Sequence, residues 1–383
     1  MLSLPLRLSQ IRRLVQRDPR DVLSFLFFLL ARSPQSFSDR YLSSIRGYKD
    51  DLSNHPKVIT GSRKPIFDSS FLEVFGKKIL AEEKIEILGK EVDFKWPPLW
   101  EGGELGVWPK KYSQSIQFYG NDSEKDIKLI WEFHRLQWLP AIASVAKTNH
   151  DDELASEILD VIIDYSKRHK INKTIAWMEG IEVSIRAISI IETLSLMDGL
   201  VGEDERIREV YSFISEHAEW INSHLSRKWR LNNNHLLIEL IGLLIISERL
   251  GWHSKSEKWK RRSVKFLEDE LISQVVEGRN WEPTTSYHKL VSEGLLVLNH
   301  HFWDENDISE LSGGLIEKVT HEMISTLGMI TDSEGNMPLV GDDDAGSIMP
   351  AFLNKDIKRN SELLELATRN GFNSDIHTPM KKF

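Results

Sequence analysis

Apolar residues recur at helical spacing along most of the chain beyond residue 126, so α-helices are the predicted elements there. In residues 126–147, for example, Ile127, Ile130 and Trp131 begin an apolar stripe. The connections between such stripes are short, which makes neighbouring helices antiparallel hairpins. After residues 126–147, the pattern predicts helices over 151–168, 178–198, 204–226, 234–250, 255–275, 284–303, 308–329 and 356–369.

The predicted helices differ in how much of their surface is apolar. Residues 236–246 (LLIELIGLLII) are apolar on nearly every side, and a helix of that kind is buried on most sides. Other predicted helices are amphipathic. This alternation indicates an inner and an outer layer, so the sequence predicts an all-α fold, an incomplete α/α toroid of antiparallel helical hairpins. A fixed sequence repeat, which would indicate a solenoid, is not visible.

Residues 90–125 interrupt the helical pattern. They contain Trp96, Trp100 and Trp108 among prolines and glycines, which break helices. We expect an irregular segment that either plugs one end of the helical array or, because flat indole faces suit sugar rings, forms one wall of a sugar-binding groove. The chain is predicted to have three parts: an N-terminal helical segment at 1–89, a toroid domain at 90–350, and a C-terminal helix with a polar tail at 351–383.

The N-terminal part contains an apolar run at residues 22–31 (VLSFLFFLLA) that follows several arginines. The run is too short to cross a bilayer. It begins late and has no small-residue cleavage site, so it does not fit a secretory signal peptide. A buried helix is the favoured interpretation, and a membrane-surface helix is the alternative. The sequence therefore predicts no membrane span and no signal peptide, which favours the cytoplasm and leaves the periplasm and secretion open.

Composition and charge narrow the classes of function. The chain has 383 residues and no cysteine, which excludes disulfides, thiolate catalysis and cysteine-ligated metals. Its net charge of −9, without a basic stripe, argues against nucleic acid as a partner. The sequence has no phosphate-binding loop, zinc motif or nucleophile elbow, so we expect no cofactor and no metal. An anionic sugar remains compatible, because a cleft can be locally positive on an acidic protein.

Two polar helix starts are candidates for chemistry. Asn233, Asn234 and His235 open the most apolar predicted helix, at a position where asparagine is a preferred N-cap. One cap explains only one asparagine, and a helix N-terminus also offers free N–H groups that suit a carboxylate. A proline and hydroxyl residues mark the second start, which places Tyr287 and His288 in a first helical turn. Each start alone fits a structural cap, but two together favour a site.

A third group of candidates lies around Trp177. Glu182 and Arg186 follow it at i,i+4 spacing on one helical face, which by default is a weak surface pair. The predicted helix around them is too apolar for a surface pair, so we expect a buried or cleft-facing one. Arg135 and Glu282 complete the charged candidates.

In this order, the motifs resemble those of the heparinase II/III-type polysaccharide lyases. The resemblance runs from Trp96 to Gly346. Each motif is weak evidence alone, and the order of the motifs carries the resemblance. The motifs are Trp108-Pro109, Asp126-Ile127-Lys128, Trp131-Glu132, Trp177-Met178-Glu179 with Glu182 and Arg186, Asn234-His235, Glu282 with Tyr287-His288, and Gly341-Asp342. The family implies an α/α toroid followed by a C-terminal β-sandwich. It also implies β-elimination at a 4-linked uronic acid of an anionic polysaccharide or oligosaccharide, such as heparan sulfate or alginate.

The resemblance also implies residue roles. By motif, Asn234 and His235 match residues that meet the uronate carboxylate, and Tyr287 matches the catalytic tyrosine. An amide, an imidazole and a helix N-terminus would stabilise the charge that builds up as C5 loses its proton. Tyr287 would protonate the departing O4 or act as both acid and base, although a base role needs nearby positive charge because a tyrosine's ordinary pKa is about 10. The candidate substrate contacts are Asn233, Glu182, Arg186, Glu282, His288, Trp177 and Arg135.

The end of the chain departs from the family pattern. After Gly346 we expect one helix and a polar tail, without the alternating strands of a β-sandwich. A partner domain or chain would then supply that wall of the cleft. The two alternatives to a lyase are a non-catalytic sugar-binding remnant and an α/α-toroid glycoside hydrolase. The hydrolase would need two carboxylates roughly 5–10 Å apart, for which Glu182 and Glu282 are the candidates.

Overall fold

The structure is a computed structural model that describes residues 55–59, 66, 69–111, 113, 116, 126–226, 232–302, 312–342, 346–349 and 359–372. The helices are α1 (Ser69–Glu82), α2 (Ile127–His134), α3 (Leu139–Asn149), α4 (Asp152–Arg168), α5 (Gly180–Met197), α6 (Glu205–His224), α7 (Asn234–Arg249), α8 (Ser256–Gln274), α9 (Thr285–Phe302), α10 (Leu315–Ile330) and α11 (Arg359–Arg369). Two antiparallel hairpins pair β1 (Lys84–Ile87) with β2 (Lys90–Asp93), and β3 (Val275–Val276) with β4 (Arg279–Asn280). The predicted all-α class is confirmed. The closure of the hairpins into a toroid and the three-part division of the chain remain predictions.

The helices form two layers. α3, α5, α7 and α9 pack against one another in this order as an inner row, and α4, α6, α8 and α10 each pack against a neighbouring inner helix. Burial follows the same division: every residue of α5 is buried, whereas α4 buries a stripe that includes Ile158, Ile162 and Tyr165. A helix that is apolar all round is therefore in the inner row, and an amphipathic one turns its polar face outward, as the sequence pattern predicts.

The helix predicted over residues 126–147 is two helices. α2 ends at His134, and α3 begins after a short turn in which Leu136 has a φ of 55°. A left-handed backbone cannot continue an α-helix, so the chain changes direction there. The apolar stripe continues across the turn because both helices bury side chains in the same core. The turn places Arg135, which directly follows α2, beside the start of α5.

The irregular segment rich in tryptophan covers the outer helix α4. The indole N–H of Trp100 donates to Asp164 at 2.7 Å, and that of Trp96 donates to Glu157 at 2.7 Å. The Trp100 ring is buried and meets the Tyr165 ring at a centroid distance of 4.9 Å. These contacts place the segment against the helical array, and both predicted roles for it remain predictions. Residues 117–125 of the segment lie outside the described residues.

The region before the irregular segment is not wholly helical. α1 packs on α3, but β1 and β2 follow it and are joined by Leu88 and Gly89, both with positive φ. Two such residues form the tight turn that matches the twist of a hairpin. The apolar run at 22–31 lies outside the described residues, as do the first residues of the helices predicted at 308–329 and 356–369. None of the helices that the structure describes is long and apolar enough to cross a membrane.

Candidate active site

Three helices of the inner row begin at one cleft, which has a volume of about 570 Å³. The first turns of α5, α7 and α9 each contribute two residues to its lining: Ile181 and Glu182, Asn234 and His235, and Ser286 and Tyr287. An antiparallel outer helix separates each of these inner helices from the next along the chain, so their N-termini lie at the same end of the row. A helix N-terminus carries a positive partial charge, and the carboxylates that also line the cleft offset part of it.

One face of α2 forms the opposite wall of the cleft. This face consists of residues at helical spacing, namely Ile127, Lys128, Trp131 and Glu132, and Arg135 continues it directly after the helix. The side chain of Asp126 accepts a hydrogen bond from the Lys128 backbone N–H at 3.0 Å and caps the helix. The wall therefore combines a half-buried indole with charged side chains.

A buried ion-pair cluster joins this wall to the start of α5. The Arg135 guanidinium donates through Nε and Nη2 to both oxygens of Glu182, at 2.5 and 2.9 Å, and also pairs with Glu132. All three side chains are less than 10% exposed. A bidentate arginine–carboxylate pair has a fixed geometry, so the cluster holds α2 against α5. The sequence predicted a buried or cleft-facing pair of Glu182 and Arg186. Both side chains are buried and the charge of Glu182 acts on Arg186, but the hydrogen bonds of Glu182 go to Arg135, which the turn at Leu136 brings beside it.

The start of α7 is held by a carboxylate from another part of the chain. Glu282, in the segment between β4 and α9, accepts hydrogen bonds through Oε2 from the backbone N–H of Asn234 at 2.8 Å and from Asn234 Nδ2 at 2.9 Å. Asn233 occupies the N-cap position, but its side chain makes no capping hydrogen bond. The sequence predicted free backbone N–H groups at this helix start, where a carboxylate could bind. That prediction is corrected for one group, since the Asn234 N–H already donates to Glu282.

His235 and Tyr287 line the cleft from adjacent inner helices, and both are partly exposed. The Tyr287 backbone N–H donates to Thr284 Oγ1 at 2.9 Å, so a threonine cap fixes the first turn of α9. Asn234 is 3% exposed and lines the same cleft. The structure thus brings together an amide, an imidazole and a phenol, which can donate hydrogen bonds to an anion and exchange protons with a bound substrate.

Three other predicted substrate contacts lie outside the cleft. Trp177 is fully buried and its indole N–H donates to the His169 carbonyl oxygen at 2.6 Å. His288 is buried between β4 and α10, where its Nε2–H donates to the Met323 carbonyl oxygen at 3.2 Å. Arg186 is fully buried as well. We therefore correct the assignment of these three residues: each is a core side chain, and none of them lines the cleft.

Arg186 is the centre of a buried aromatic and histidine cluster. Its Nε donates to His217 Nε2 at 2.9 Å, and Nη1 donates to the carbonyl oxygens of His134 and Ala176 at 3.3 and 3.0 Å. The guanidinium carbon lies 4.9 Å from the centre of the Trp177 ring. Burial, and then the charge of Arg186, lower the pKa of His217 well below its usual range. The cluster fixes the end of α2 and the turn that leads into α5.

Two features of the site were not among the predicted site residues. Trp131 lines the cleft, although the Trp131-Glu132 motif contributed to the resemblance without a role being assigned to it. Gly180, the first residue of α5, lies against the buried carboxylate of Glu239, which accepts hydrogen bonds from the backbone N–H and the hydroxyl of Ser226, both at 2.6 Å. The glycine at the start of α5 indicates a close approach of another group, but the sequence does not show that this group is Glu239.

Replacing Gly180 by alanine is expected to lower the free energy of unfolding by about 2 kcal/mol, because an added Cβ overpacks the core. The new atom would lie 2.2 Å from Glu239 Oε1, and the two bonds from Ser226 hold that carboxylate in place. Urea denaturation followed by circular dichroism measures the change. Gly202→Ala is the matched control, since no atom lies within 4 Å of its added Cβ. Equal stability of the two variants would contradict the prediction.

Comparison with known proteins identifies the class. The family model described as "Heparinase II/III N-terminus" matches residues 103–361, and the chain belongs to this family. The chain is similar to the heparin-sulfate lyase of Pedobacter heparinus, with 24% identity over 225 residues that make up 57% of this chain and 33% of the relative.

Solved structures show the same helical fold. The crystal structure of heparan sulfate lyase HepC from Pedobacter heparinus matches 78% of this chain with a TM-score of 0.51 and 18% identity. The crystal structure of a heparinase III matches 79% with a TM-score of 0.52 and 13% identity. The chain spans 45% of each of these two structures and a third of the length of the curated relative.

Proposed function

We propose that the cleft binds a polysaccharide containing 4-linked uronic acid and cleaves it by β-elimination. The observation that carries the proposal is the presence of Asn234, His235 and Tyr287 in one cleft, at the N-terminal ends of adjacent inner helices. Family membership supports a lyase-related function. The similarity to a heparin-sulfate lyase supports an anionic polysaccharide as the substrate class.

The reaction removes the proton from C5 of the uronic acid, forms a C4=C5 double bond and breaks the bond between C4 and O4. The C5 proton becomes acidic only when the negative charge that moves onto the carboxylate is stabilised. Asn234 and His235 supply hydrogen-bond donors for that charge, in the positive field of the helix N-termini. Tyr287 gives a proton to the departing O4. Either Tyr287 itself, after ionisation, or His235 takes the proton from C5.

The contacts of two glutamates favour this chemistry over hydrolysis. A glycoside hydrolase would need Glu182 and Glu282 as an acid and a base or nucleophile. Both oxygens of Glu182 are bound by Arg135, and Glu282 accepts two hydrogen bonds from Asn234. Because Arg135 holds both oxygens of Glu182, that carboxylate is not free to contact a glycosidic oxygen.

Ultraviolet absorbance distinguishes the candidate functions, because the conjugated double bond of a lyase product absorbs and a hydrolase product does not. We expect the absorbance to rise when the protein is incubated with at least one of alginate, heparan sulfate, hyaluronan or a uronate-containing capsule polysaccharide. Dextran, which has no carboxylate, is the negative control. New reducing ends without absorbance would establish a hydrolase instead.

Binding measured beside the absorbance assay tests the non-catalytic alternative. A sugar-binding remnant would bind one of the four uronate polymers, with the affinity reduced by salt, and would leave the absorbance unchanged. That result would overturn the lyase proposal and retain the cleft as a binding site. Failure to bind any uronate polymer would overturn both.

A further inference from the structure

The carboxylate of Glu282 links the two helix starts that carry the proposed reaction. Through Oε2 it accepts the backbone N–H and the side-chain Nδ2–H of Asn234 in the first turn of α7. Along the chain it precedes Tyr287, in the first turn of α9, by five residues. The Thr284 N–H donates to the Glu282 carbonyl oxygen at 2.7 Å, so the intervening segment is a tight turn. The geometry of Asn234 relative to Tyr287 is therefore set through Glu282.

The contact fixes which way the Asn234 amide faces. A carboxylate only accepts hydrogen bonds, so the NH₂ group of Asn234, and not its Oδ1, must face Glu282. One hydrogen of Nδ2 is held there, while the second remains available to a ligand in the cleft. Because Glu282 also occupies the backbone N–H of Asn234, a substrate carboxylate would be met by side-chain donors rather than by this backbone group.

Helix capping alone does not account for this arrangement. Asn233 stands at the N-cap, where an asparagine side chain can bond the N–H groups of the first turn. Its side chain makes no capping bond, and its Oδ1 is buried without a hydrogen-bond partner among the described residues. The chain thus leaves a local cap unused and brings in a distant carboxylate that also holds the Asn234 side chain.

We propose that Glu282 is a positioning residue that orients Asn234 for the uronate carboxylate, rather than a group that contacts the sugar. This inference rests on the proposed function and assigns Glu282 a role within it. Asn234 stabilises charge that is larger in the transition state than in the bound substrate. Misplacing its amide therefore lowers kcat more than it raises KM.

A double-mutant cycle with Asn234 tests the inference. Glu282→Ala is expected to lower kcat by about tenfold to 100-fold, the cost of a donor displaced by about 1 Å, with KM changed by less than a factor of about two. In an Asn234→Ala background, the same substitution should change kcat by less than a factor of about three, because the group that it positions is already gone. Glu282→Gln, which keeps an acceptor oxygen, should retain more activity than Glu282→Ala.

The control is Glu365→Ala, which removes an exposed glutamate on α11 that pairs with Arg369. It should leave kcat and KM unchanged. If Glu282 only stabilised α7, the Glu282→Ala variant would lose thermal stability, yet the kcat of its folded fraction would equal that of the unsubstituted protein. That outcome, or fully additive losses of kcat in the double variant, would overturn the positioning role.

A spectroscopic readout separates this inference from the lyase proposal. In protein labelled with ¹⁵N-asparagine, the side-chain NH₂ signals of Asn234 are those that disappear in Asn234→Ala. A hydrogen bond to a carboxylate shifts one of the two amide protons downfield, and Glu282→Ala should reverse that shift while Glu365→Ala should not. Unchanged signals in Glu282→Ala would refute the positioning role whether or not the protein turns over. Absence of an absorbing product from the unsubstituted protein, with the shift present, would refute only the lyase proposal.

Discussion

Replacing Tyr287 by phenylalanine is expected to lower kcat for uronate cleavage by about 100-fold to 10,000-fold, the range typical of removing a general acid or base. The substitution removes one hydroxyl and keeps the aromatic ring, so the packing of Tyr287 beside Leu290 in the cleft lining is retained. Without the hydroxyl, O4 must leave as an alkoxide or take its proton from water. Both routes raise the barrier to breaking the C4–O4 bond.

Initial rates of ultraviolet absorbance, measured at saturating substrate, give the change in kcat. KM should change little, because the phenol acts on atoms whose charge develops only in the transition state. Tyr165→Phe is the matched control, since Tyr165 is fully buried in the core outside the cleft. A Tyr287→Phe variant that is folded and retains more than about a tenth of the activity, far above the range for a lost general acid, would rule out the assigned role.

The two layers of the fold could be predicted because they depend on how apolar residues are distributed around each helix, which the sequence of that helix determines. α7 is apolar on nearly all sides and is buried on nearly all sides, so its place in the inner row follows from its own residues. The break near Leu136 had a signal in Pro140, which stands in the first turn of α3, where proline marks a helix start. The stripe of apolar residues runs through the break, so periodicity alone predicted one continuous helix.

Two cleft residues could be predicted because two independent features of the sequence indicated them, a polar helix start and an apolar helix behind it. Asn234 and Tyr287 stand at polar starts of apolar helices, and the contacts between inner helices bring such starts together. Spacing along one helix was a weaker guide. Arg186 lies one turn from Glu182, but α5 is surrounded on all sides, so one side chain faces the cleft and the other faces the core. Whether Glu182 or Arg186 faces the cleft depends on where α2 and α6 pack. The residues of α5 alone do not determine those positions.

The same burial that removes His288 from the cleft has a consequence for stability in acid. Burial lowers the pKa of His288 to about 4. In the cluster around Arg186, burial and then the charge of Arg186 lower the pKa of His169 to about 3, and His134 and His217 are shifted in the same direction. These imidazoles are therefore neutral in the folded protein over a pH range in which the unfolded chain would protonate them.

We expect the folded protein to lose about 4 kcal/mol of stability between pH 7.5 and pH 5 from His169 and His288 together, or about 2 kcal/mol each. An unfolded imidazole begins to bind protons near its ordinary pKa of 6.5. The folded forms do not protonate until about pH 4 for His288 and about pH 3 for His169. The stabilisation is therefore fully present above pH 6.5 and is lost as the pH falls toward these values. His134 and His217 add to the loss.

Urea denaturation at pH 7.5 and pH 5 measures this loss, and His169→Phe isolates one histidine. Neither ring nitrogen of His169 has a hydrogen-bond partner among the described residues, and the ring lies against Tyr165 at a centroid distance of 4.5 Å. A phenyl ring fits this aromatic site without a titratable group, so the variant should lose about 2 kcal/mol less than the unsubstituted protein over the same pH range. His321→Phe, at an exposed position on α10, should not reduce the loss. Equal pH dependence in His169→Phe and the unsubstituted protein would show that the buried cluster does not take up protons on unfolding, and its acid sensitivity would then have to arise from other groups.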